Sequence, residues 1–183
     1  GLPSNESILW IGSFEPNTIT IGTYRNGVIT YNTKTKTTTK ISTHNSTLPT
    51  NDIRKGIVDK TNTRWYITHG KGITGISNKK TFNISSSSPS PTQLSGDWTF
   101  DALCLPDNSI AVASNYGLNI IHPQRNKTEQ FVRNTNDSIT LANNTIYCLW
   151  YDGAETIWCG TLEGISAFSL KTRTFSFNIL QDY

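Results

Sequence analysis

Four similar segments recur along this chain, and this repetition constrains the fold more than any other feature of the sequence. The segments are "TITIGTYRNGVITY", "TRWYITHGKGITGI", "SIAVASNYGLNII" and "TIWCGTLEGISAF", and the glycines that follow their first apolar runs are spaced by 45, 45 and 47 residues. Those glycines are Gly27, Gly72, Gly117 and Gly164, and the small residues that end the runs are Thr23, Thr68, Ser114 and Thr161. A fixed period of this length predicts the blades of a β-propeller.

Each repeat unit contains four short apolar runs, which we call strands A to D. Strand A is apolar on both faces, as in "ILWI" and "IYCLW", which is typical of a strand sandwiched between neighbouring sheets. Turn-forming residues link strands A and B, and no helical period persists. We therefore predict an all-β chain of four four-stranded antiparallel blades, forming part or half of a larger propeller. The predicted blades are at about 5–46, 50–88, 96–134 and 142–180.

Composition agrees with short strands and argues against several functional classes. Charged residues make up only 16% of the 183-residue chain, and its net charge of +3 is too weak to favour nucleic-acid binding. No apolar window is long enough to span a membrane. The three cysteines, Cys104, Cys148 and Cys159, show no metal-ligand spacing and are interpreted as small core residues. Cys148 and Cys159 could face each other across a hairpin.

The repeat resembles the two-component regulator propeller repeat, whose consensus runs roughly S-L-S-N-N-x-V-x-x-I-x-x-D-x-x-G-x-L-W-I-G-T-x-x-G-L-x-x-Y. The fourth unit matches it best, with "SITLANNTIYCLWYDGAETIWCGTLEGISAF", and the first follows with "LPSNESILWIGSFEPNTITIGTYRNGVITY". The second and third units lack the Gly-Thr pair. The resemblance covers the whole chain.

The resemblance implies a function that composition alone does not show. In that family the propeller is the periplasmic sensor of a membrane-bound hybrid histidine kinase, similar to receptors of gut Bacteroidetes that detect products of complex-carbohydrate breakdown. It therefore implies a ligand-sensing module, periplasmic or extracellular, that binds an oligosaccharide or a similar small ligand. We expect no cofactor.

A ligand site is expected at the mouth of the central channel, where the loops that join strands B to C and D to A share one face. Trp98 is the most informative residue there, because the other units carry acidic or small residues near that place. The alternative is that Trp98 plugs the channel or packs between blades. Aromatic faces suit the apolar face of a sugar, and polar side chains suit its hydroxyls. The candidate ligand-binding residues are Tyr24, Arg25, Asn26, His69, Lys71, Asp97, Trp98, Asn115, Tyr116 and Glu163.

Two other functional classes stay open on sequence grounds. A propeller lyase would need a histidine and acids that converge on the mouth, and only His69 is placed for that. A protein-binding scaffold needs no particular motif. The absence of GxSxG, HExxH and an evident acid–base pair favours a binding protein over an enzyme.

The number of repeat units, four, predicts how the chain assembles. An isolated arc of four blades would leave the apolar faces of the first and fourth units open, including the side chains flanking Ile8, Trp10, Ile146 and Trp150. We expect a homodimer that closes an eight-unit ring. A closed four-blade monomer, or a ring completed by the remainder of a longer receptor chain, is the alternative.

Overall fold

The computed structural model describes residues 5–78, 80–136 and 140–179, with side chains up to residue 176 in the last strand. The described residues form four antiparallel four-stranded sheets and no helix, which confirms the prediction of an all-β, four-bladed chain. The strands of units 1 and 2 are β1 Ile8–Gly12, β2 Thr18–Thr23, β3 Val28–Asn32, β4 Thr38–Ile41, β5 Ile53–Val58, β6 Arg64–Thr68, β7 Ile73–Ile76 and β8 Thr81–Ile84. The strands of units 3 and 4 are β9 Thr99–Cys104, β10 Ile110–Ser114, β11 Gly117–His122, β12 Lys127–Phe131, β13 Ile146–Tyr151, β14 Thr156–Thr161, β15 Gly164–Ser169 and β16 Phe175–Ile179.

The four sheets are arranged as an open arc. Within each sheet the strands follow chain order, and the first strands of consecutive units, β1, β5, β9 and β13, lie side by side along the inner edge. Strands β1 and β13, at the two ends, make no comparable contact with each other. We call the side of a sheet that contacts the following unit its leading face, and the side that contacts the preceding unit its trailing face.

Apolar clusters fill the spaces between consecutive units. Val28 of unit 1 packs with Ile53 of unit 2, and Trp65 of unit 2 packs with Ala102 of unit 3. A third cluster joins units 3 and 4 and includes Leu118 and Leu149. Trp65 is completely enclosed, as expected for a core residue. Burial of apolar surface between sheets therefore holds the units together.

The hydroxyl residue and the glycine of each repeat form one turn. Thr68 Oγ1 donates a hydrogen bond of 2.7 Å to the carbonyl oxygen of Gly72, and Gly72 has a φ of +69°. A Cβ at Gly72 would lie 2.1 Å from the carbonyl oxygen of Ile84, so the turn requires glycine. The other units repeat the hydrogen bond and the positive φ with Thr23–Gly27, Ser114–Gly117 and Thr161–Gly164. The repeat signature in the sequence is therefore the signature of this turn.

The same glycine also bonds the next unit through its backbone. The Gly72 N–H donates to the carbonyl oxygen of Asp97, which precedes the inner strand of unit 3, at 2.9 Å. Equivalent bonds run from Gly27 to Asn51 at 3.0 Å and from Gly117 to Asn144 at 2.7 Å. Each junction between units thus combines an apolar cluster with a backbone hydrogen bond from the turn glycine.

The fourth unit departs from two expectations. Cys148 pairs with Gly160 and Cys159 pairs with Leu149, so the two cysteine side chains lie on opposite faces of the sheet and do not face each other. Cys159 is buried and Cys104 is half-buried, but Cys148 is exposed and is not a core residue. Trp150 lies on the same face as Cys148 and is 62% exposed. Both residues are exposed because they lie on the leading face of unit 4, which no following unit covers.

Asp59 organises the turn between β5 and β6. Its buried carboxylate accepts hydrogen bonds from the Trp65 indole at 2.9 Å and from the backbone N–H groups of Thr61 and Thr63. Burial has the largest single effect on the pKa of Asp59 and raises it, but the hydrogen bonds together hold the pKa below its usual value. A lowered pKa in the folded state means that the ionised carboxylate stabilises the fold.

This arrangement predicts a loss of stability in acid. The contribution of Asp59 should be fully present above about pH 4, the unfolded-state pKa, and should be lost as the pH falls through the folded-state pKa. We expect the stability advantage of the wild type over Asp59→Asn, measured by urea unfolding, to be present at neutral pH and to shrink below about pH 4. An advantage that is constant down to about pH 2 would contradict this role.

Candidate functional site

A β-bulge in each inner strand shapes the mouth of the arc, the end where the B–C turns and D–A loops lie. The bulge residue is the one skipped in the pairing of the inner strand with its neighbour. The four bulge residues recur at steps of 45, 46 and 47: Leu9, Arg54, Phe100 and Tyr147. A bulge re-aims a side chain out of the regular alternation, and bulges are common next to functional sites. This recurrence places one extra side chain from every unit at the mouth.

Four rings from three units form a continuous row, which we call the aromatic row: His69, Trp98, Phe100 and Tyr147. The ring of His69 lies 4.6 Å from that of Trp98 and 6.2 Å from that of Phe100, between ring centroids. The Phe100 ring is in turn 5.2 Å from that of Tyr147. Since Phe100 contacts rings of both the preceding and the following unit, it lies on the inner side of the arc. Trp98 and Tyr147 remain 53% and 47% exposed.

Backbone bonding fixes the position of Trp98. Its backbone forms an antiparallel bridge with His69 across the junction of units 2 and 3. Its carbonyl oxygen accepts the N–H of Asn115 at 2.9 Å, and its own N–H donates to Asn115 Oδ1 at 3.3 Å. The indole is therefore held on a rigid frame with half of its surface free. The indole also contacts unit 2, since its ring lies 4.6 Å from that of His69 and a Cβ at Gly70 would meet its Nε1 at 3.4 Å.

Polar groups of unit 2 lie beside the aromatic row, where the carbonyl oxygen of Asp52 accepts the N–H of His69 at 3.3 Å. Arg54 Nη2 donates to Asp52 Oδ2 at 3.2 Å, and Arg54 Nε lies 2.9 Å from Asp52 Oδ1, although not aligned as a hydrogen bond. Nδ1 of His69 is buried and has no hydrogen-bond partner among the residues that the structure describes. A buried nitrogen without a partner is uncommon and calls for a water or a ligand group.

The side chains of four of the predicted site residues are bonded to other residues of the chain. Asp97 accepts the backbone N–H of Ser86 at 2.6 Å and its hydroxyl at 2.7 Å. Asn115 holds Trp98 as described above, and Asn26 bonds Glu6 and Lys40. Glu163 pairs with Arg133 at 3.2 Å. The structure therefore gives these side chains internal partners.

The remaining predicted residues lie at the tips of the B–C turns. Tyr24 and Arg25 of unit 1 form a cation–π contact, with the guanidinium carbon 5.3 Å from the ring centroid. Tyr116 of unit 3 and Lys71 of unit 2 are exposed. No ring contact joins Tyr24 or Tyr116 to the aromatic row within the described residues. Of the ten predicted residues, the structure brings His69 and Trp98 together with Phe100 and Tyr147. Sequence reasoning missed these two bulge residues and Arg54, which holds the equivalent bulge position in unit 2.

Other clefts lie away from the mouth. A cavity of about 260 Å³ opens between units 3 and 4 at the opposite end of the arc, lined by Leu105, Pro106, Tyr151, Leu170 and Arg173 among others. It is smaller than most small-molecule sites, and the Tyr151 hydroxyl in it is already bonded to Ala154. We place the candidate site at the mouth because the exposed rings of Trp98 and Tyr147 lie there.

No group of three or more histidine, cysteine, aspartate or glutamate side chains is close enough to hold a metal ion within the described residues. No helix long and apolar enough to cross a membrane occurs in the described part of the chain.

Solved structures with the same fold include extracellular domains of bacterial receptors. The extracellular domain of BT3049 from Bacteroides thetaiotaomicron, assigned as a hybrid two-component system, superposes with a TM-score of 0.75 at 21% identity, over 96% of this chain and 25% of that chain. The corresponding domain of BT4673 from the same species gives a TM-score of 0.75 at 18% identity, over 96% and 24% of the two chains. These proteins are of the type that the repeat resembles.

A third structure extends the comparison. PorZ, a surface component of the type-IX secretion system of Porphyromonas gingivalis, gives a TM-score of 0.64 at 17% identity, over 92% of this chain and 26% of that chain. The chain spans about a quarter of the length of all three structures. No protein-family model and no curated protein matches the sequence. At these identities the likeness shows the propeller fold.

Proposed function

We propose that this chain is the ligand-sensing propeller module of a two-component signalling receptor and that it binds an oligosaccharide at the aromatic row. The observation that carries the proposal is the pair of half-exposed rings, Trp98 and Tyr147, held on rigid backbone at the inner side of the mouth. The fold shared with extracellular domains of hybrid two-component systems supports the sensor role and a periplasmic or extracellular location.

The chemistry of the row suits a sugar ring. An exposed indole and phenol offer flat apolar faces, against which the C–H face of a pyranose can stack. Arg54 and Asp52 beside the row, with Lys71 at the rim, offer donors and acceptors for hydroxyl groups. Because the row joins units 2, 3 and 4, one ligand would contact several units at once. A ligand that bridges units could change their relative positions, which is what a sensor requires.

Binding can be tested by thermal unfolding in the presence of a panel of neutral and acidic oligosaccharides. A sugar that binds at this site should stabilise the fold by about 2.7 kcal/mol at a concentration of 100 Kd. We expect Trp98→Ala and Tyr147→Ala each to weaken binding at least about tenfold, since each removes about half of the exposed stacking surface. Titration calorimetry with the stabilising sugar measures the loss.

Tyr116→Ala provides the matched control. Tyr116 belongs to the same unit as Trp98 and is equally exposed, at 54%, but lies outside the row. We expect its replacement to leave affinity unchanged. Binding that survives Trp98→Ala and Tyr147→Ala, or a panel in which no sugar stabilises the protein, would overturn the proposed site. A large drop in stability of Trp98→Ala with binding intact would instead show that Trp98 is structural.

A further inference from the structure

Three similar interfaces join the four consecutive units. At the two ends of the arc, the two faces that would form such an interface, one on unit 1 and one on unit 4, are exposed. On the trailing face of unit 1, Ile11 is 65% exposed and Ile8 is 48% exposed. In units 2 to 4 the residues equivalent to Ile11 are Gly56, Ala102 and Leu149, and those equivalent to Ile8 are Ile53, Thr99 and Ile146. All six are buried. The repeat therefore uses these two positions for contact with a preceding unit. In unit 1 they have no such neighbour, although Ile21 and Ile29 on the same face are buried.

The leading face of unit 4 shows the complementary difference. Trp150 is 62% exposed, Cys148 is exposed, and Trp158 and Ile165 are half-buried. In units 1 to 3 the residues equivalent to Trp158 are Thr20, Trp65 and Ala111, and those equivalent to Ile165 are Val28, Ile73 and Leu118. All six are buried under the following unit. A contiguous apolar surface containing two tryptophans is unusual in a monomer and marks an interaction site.

Backbone groups at the two ends match in the same way. In units 1 to 3 the N–H of the turn glycine, Gly27, Gly72 or Gly117, donates to a carbonyl oxygen of the following unit. The N–H of Gly164 in unit 4 makes no such bond within the described residues. The acceptor in each junction is the carbonyl three residues before the bulge, and in unit 1 that residue is Glu6. No donor to the Glu6 carbonyl oxygen is found in the described part of the chain. The N–H of Gly164 and the carbonyl oxygen of Glu6 are therefore equivalent to the donor and the acceptor of the hydrogen bond that joins the other units.

We propose that a second copy of this chain covers both ends, with unit 4 of each copy packed against unit 1 of the other. A two-fold rotation then closes both junctions at once and leaves neither face open. Two arcs give eight units, which lies within the usual range for propellers. Each junction would repeat the contacts that already join units 1 to 4, so the interface continues one that the structure contains. This dimer is independent of any ligand at the mouth.

Light scattering on the purified 183-residue chain tests the proposal. At micromolar concentration we expect a single species with close to twice the chain mass of 20.4 kDa. Trp150→Lys and Ile11→Lys should each give a folded monomer, because each places an unpaired charge in both junctions. Tyr116→Lys, at an equally exposed aromatic residue of the mouth, is the control and should remain a dimer.

Mixing the two monomeric variants distinguishes this pairing from others. A dimer of one Trp150→Lys chain and one Ile11→Lys chain has both lysines in one junction and an unaltered second junction. An equimolar mixture should therefore regain dimer, whereas neither variant does so alone. A wild-type mass near 20.4 kDa overturns the proposal. So does an Ile11→Lys chain that remains dimeric, or a mixture that stays monomeric while circular dichroism shows both variants folded.

Discussion

Replacing Gly72 by alanine is expected to lower the free energy of unfolding by about 2 to 5 kcal/mol. An L-residue at a φ of +69° costs about 1 to 2 kcal/mol. The new Cβ would also lie 2.1 Å from the carbonyl oxygen of Ile84, which is backbone and cannot move without disturbing β8, and such crowding adds about 1 to 3 kcal/mol. The turn carries the hydrogen bonds from Thr68 and to Asp97, so its distortion weakens the junction with unit 3 as well.

Gly153→Ala is the control for the Gly72 substitution. Gly153 also has a positive φ, +84°, but a Cβ there would meet no atom within 4 Å. We expect this substitution to cost only the conformational term of about 1 to 2 kcal/mol. Chemical denaturation of both variants measures the difference. Equal losses at the two positions would show that Gly72 is required for its φ alone and not for the close approach of the neighbouring strand.

The fold could be predicted because its repeated elements leave local marks in the sequence. A hydroxyl residue followed by a glycine recurs because the turn needs both, as Thr161 and Gly164 show in the best-matching unit. Apolar runs around Trp65 and Ile73 reveal strands that are covered on both faces. Such marks recur at a fixed spacing along the chain, so the period of the sequence indicates the number of sheets and their strands.

The candidate site could be predicted only in part, because a bulge is set by pairing between strands. Nothing local distinguishes Tyr147 from the apolar residues on either side of it, and its projection into the mouth appears only once Ile146 and Cys148 are paired with β14. Trp98 was identifiable as a loop residue that differs from its counterparts in the other units. The exposure of Trp150 likewise depends on which units are neighbours and not on the strand itself.

One carboxylate connects three of the four units. Asp101 follows the bulge residue of β9 and is buried. Its Oδ1 accepts a hydrogen bond from Lys55 Nζ of unit 2, and its Oδ2 accepts the backbone N–H of Leu149 of unit 4 at 2.8 Å. A nonpolar residue at this position would leave a buried N–H and a partly buried ammonium without an acceptor. Such groups are costly when they lose their partners.

We therefore expect Asp101→Ala to lower the free energy of unfolding by about 3 kcal/mol. Asp101→Asn should cost less, because the amide oxygen can still accept the Leu149 N–H while the charge that pairs with Lys55 is lost. Glu163→Ala is the matched control. It removes an exposed ion pair with Arg133, and such pairs contribute at most about 1 kcal/mol.

A double-mutant cycle with Lys55→Met separates the two bonds of Asp101. If the ion pair carries most of the effect, Asp101→Ala should cost markedly less in the Lys55→Met background, because no ammonium remains to be left unpaired. If the backbone bond carries it, the cost should be the same in both backgrounds. An Asp101→Ala chain as stable as the Glu163→Ala chain would show that the carboxylate does not join the units. The apolar clusters would then hold the arc together without it.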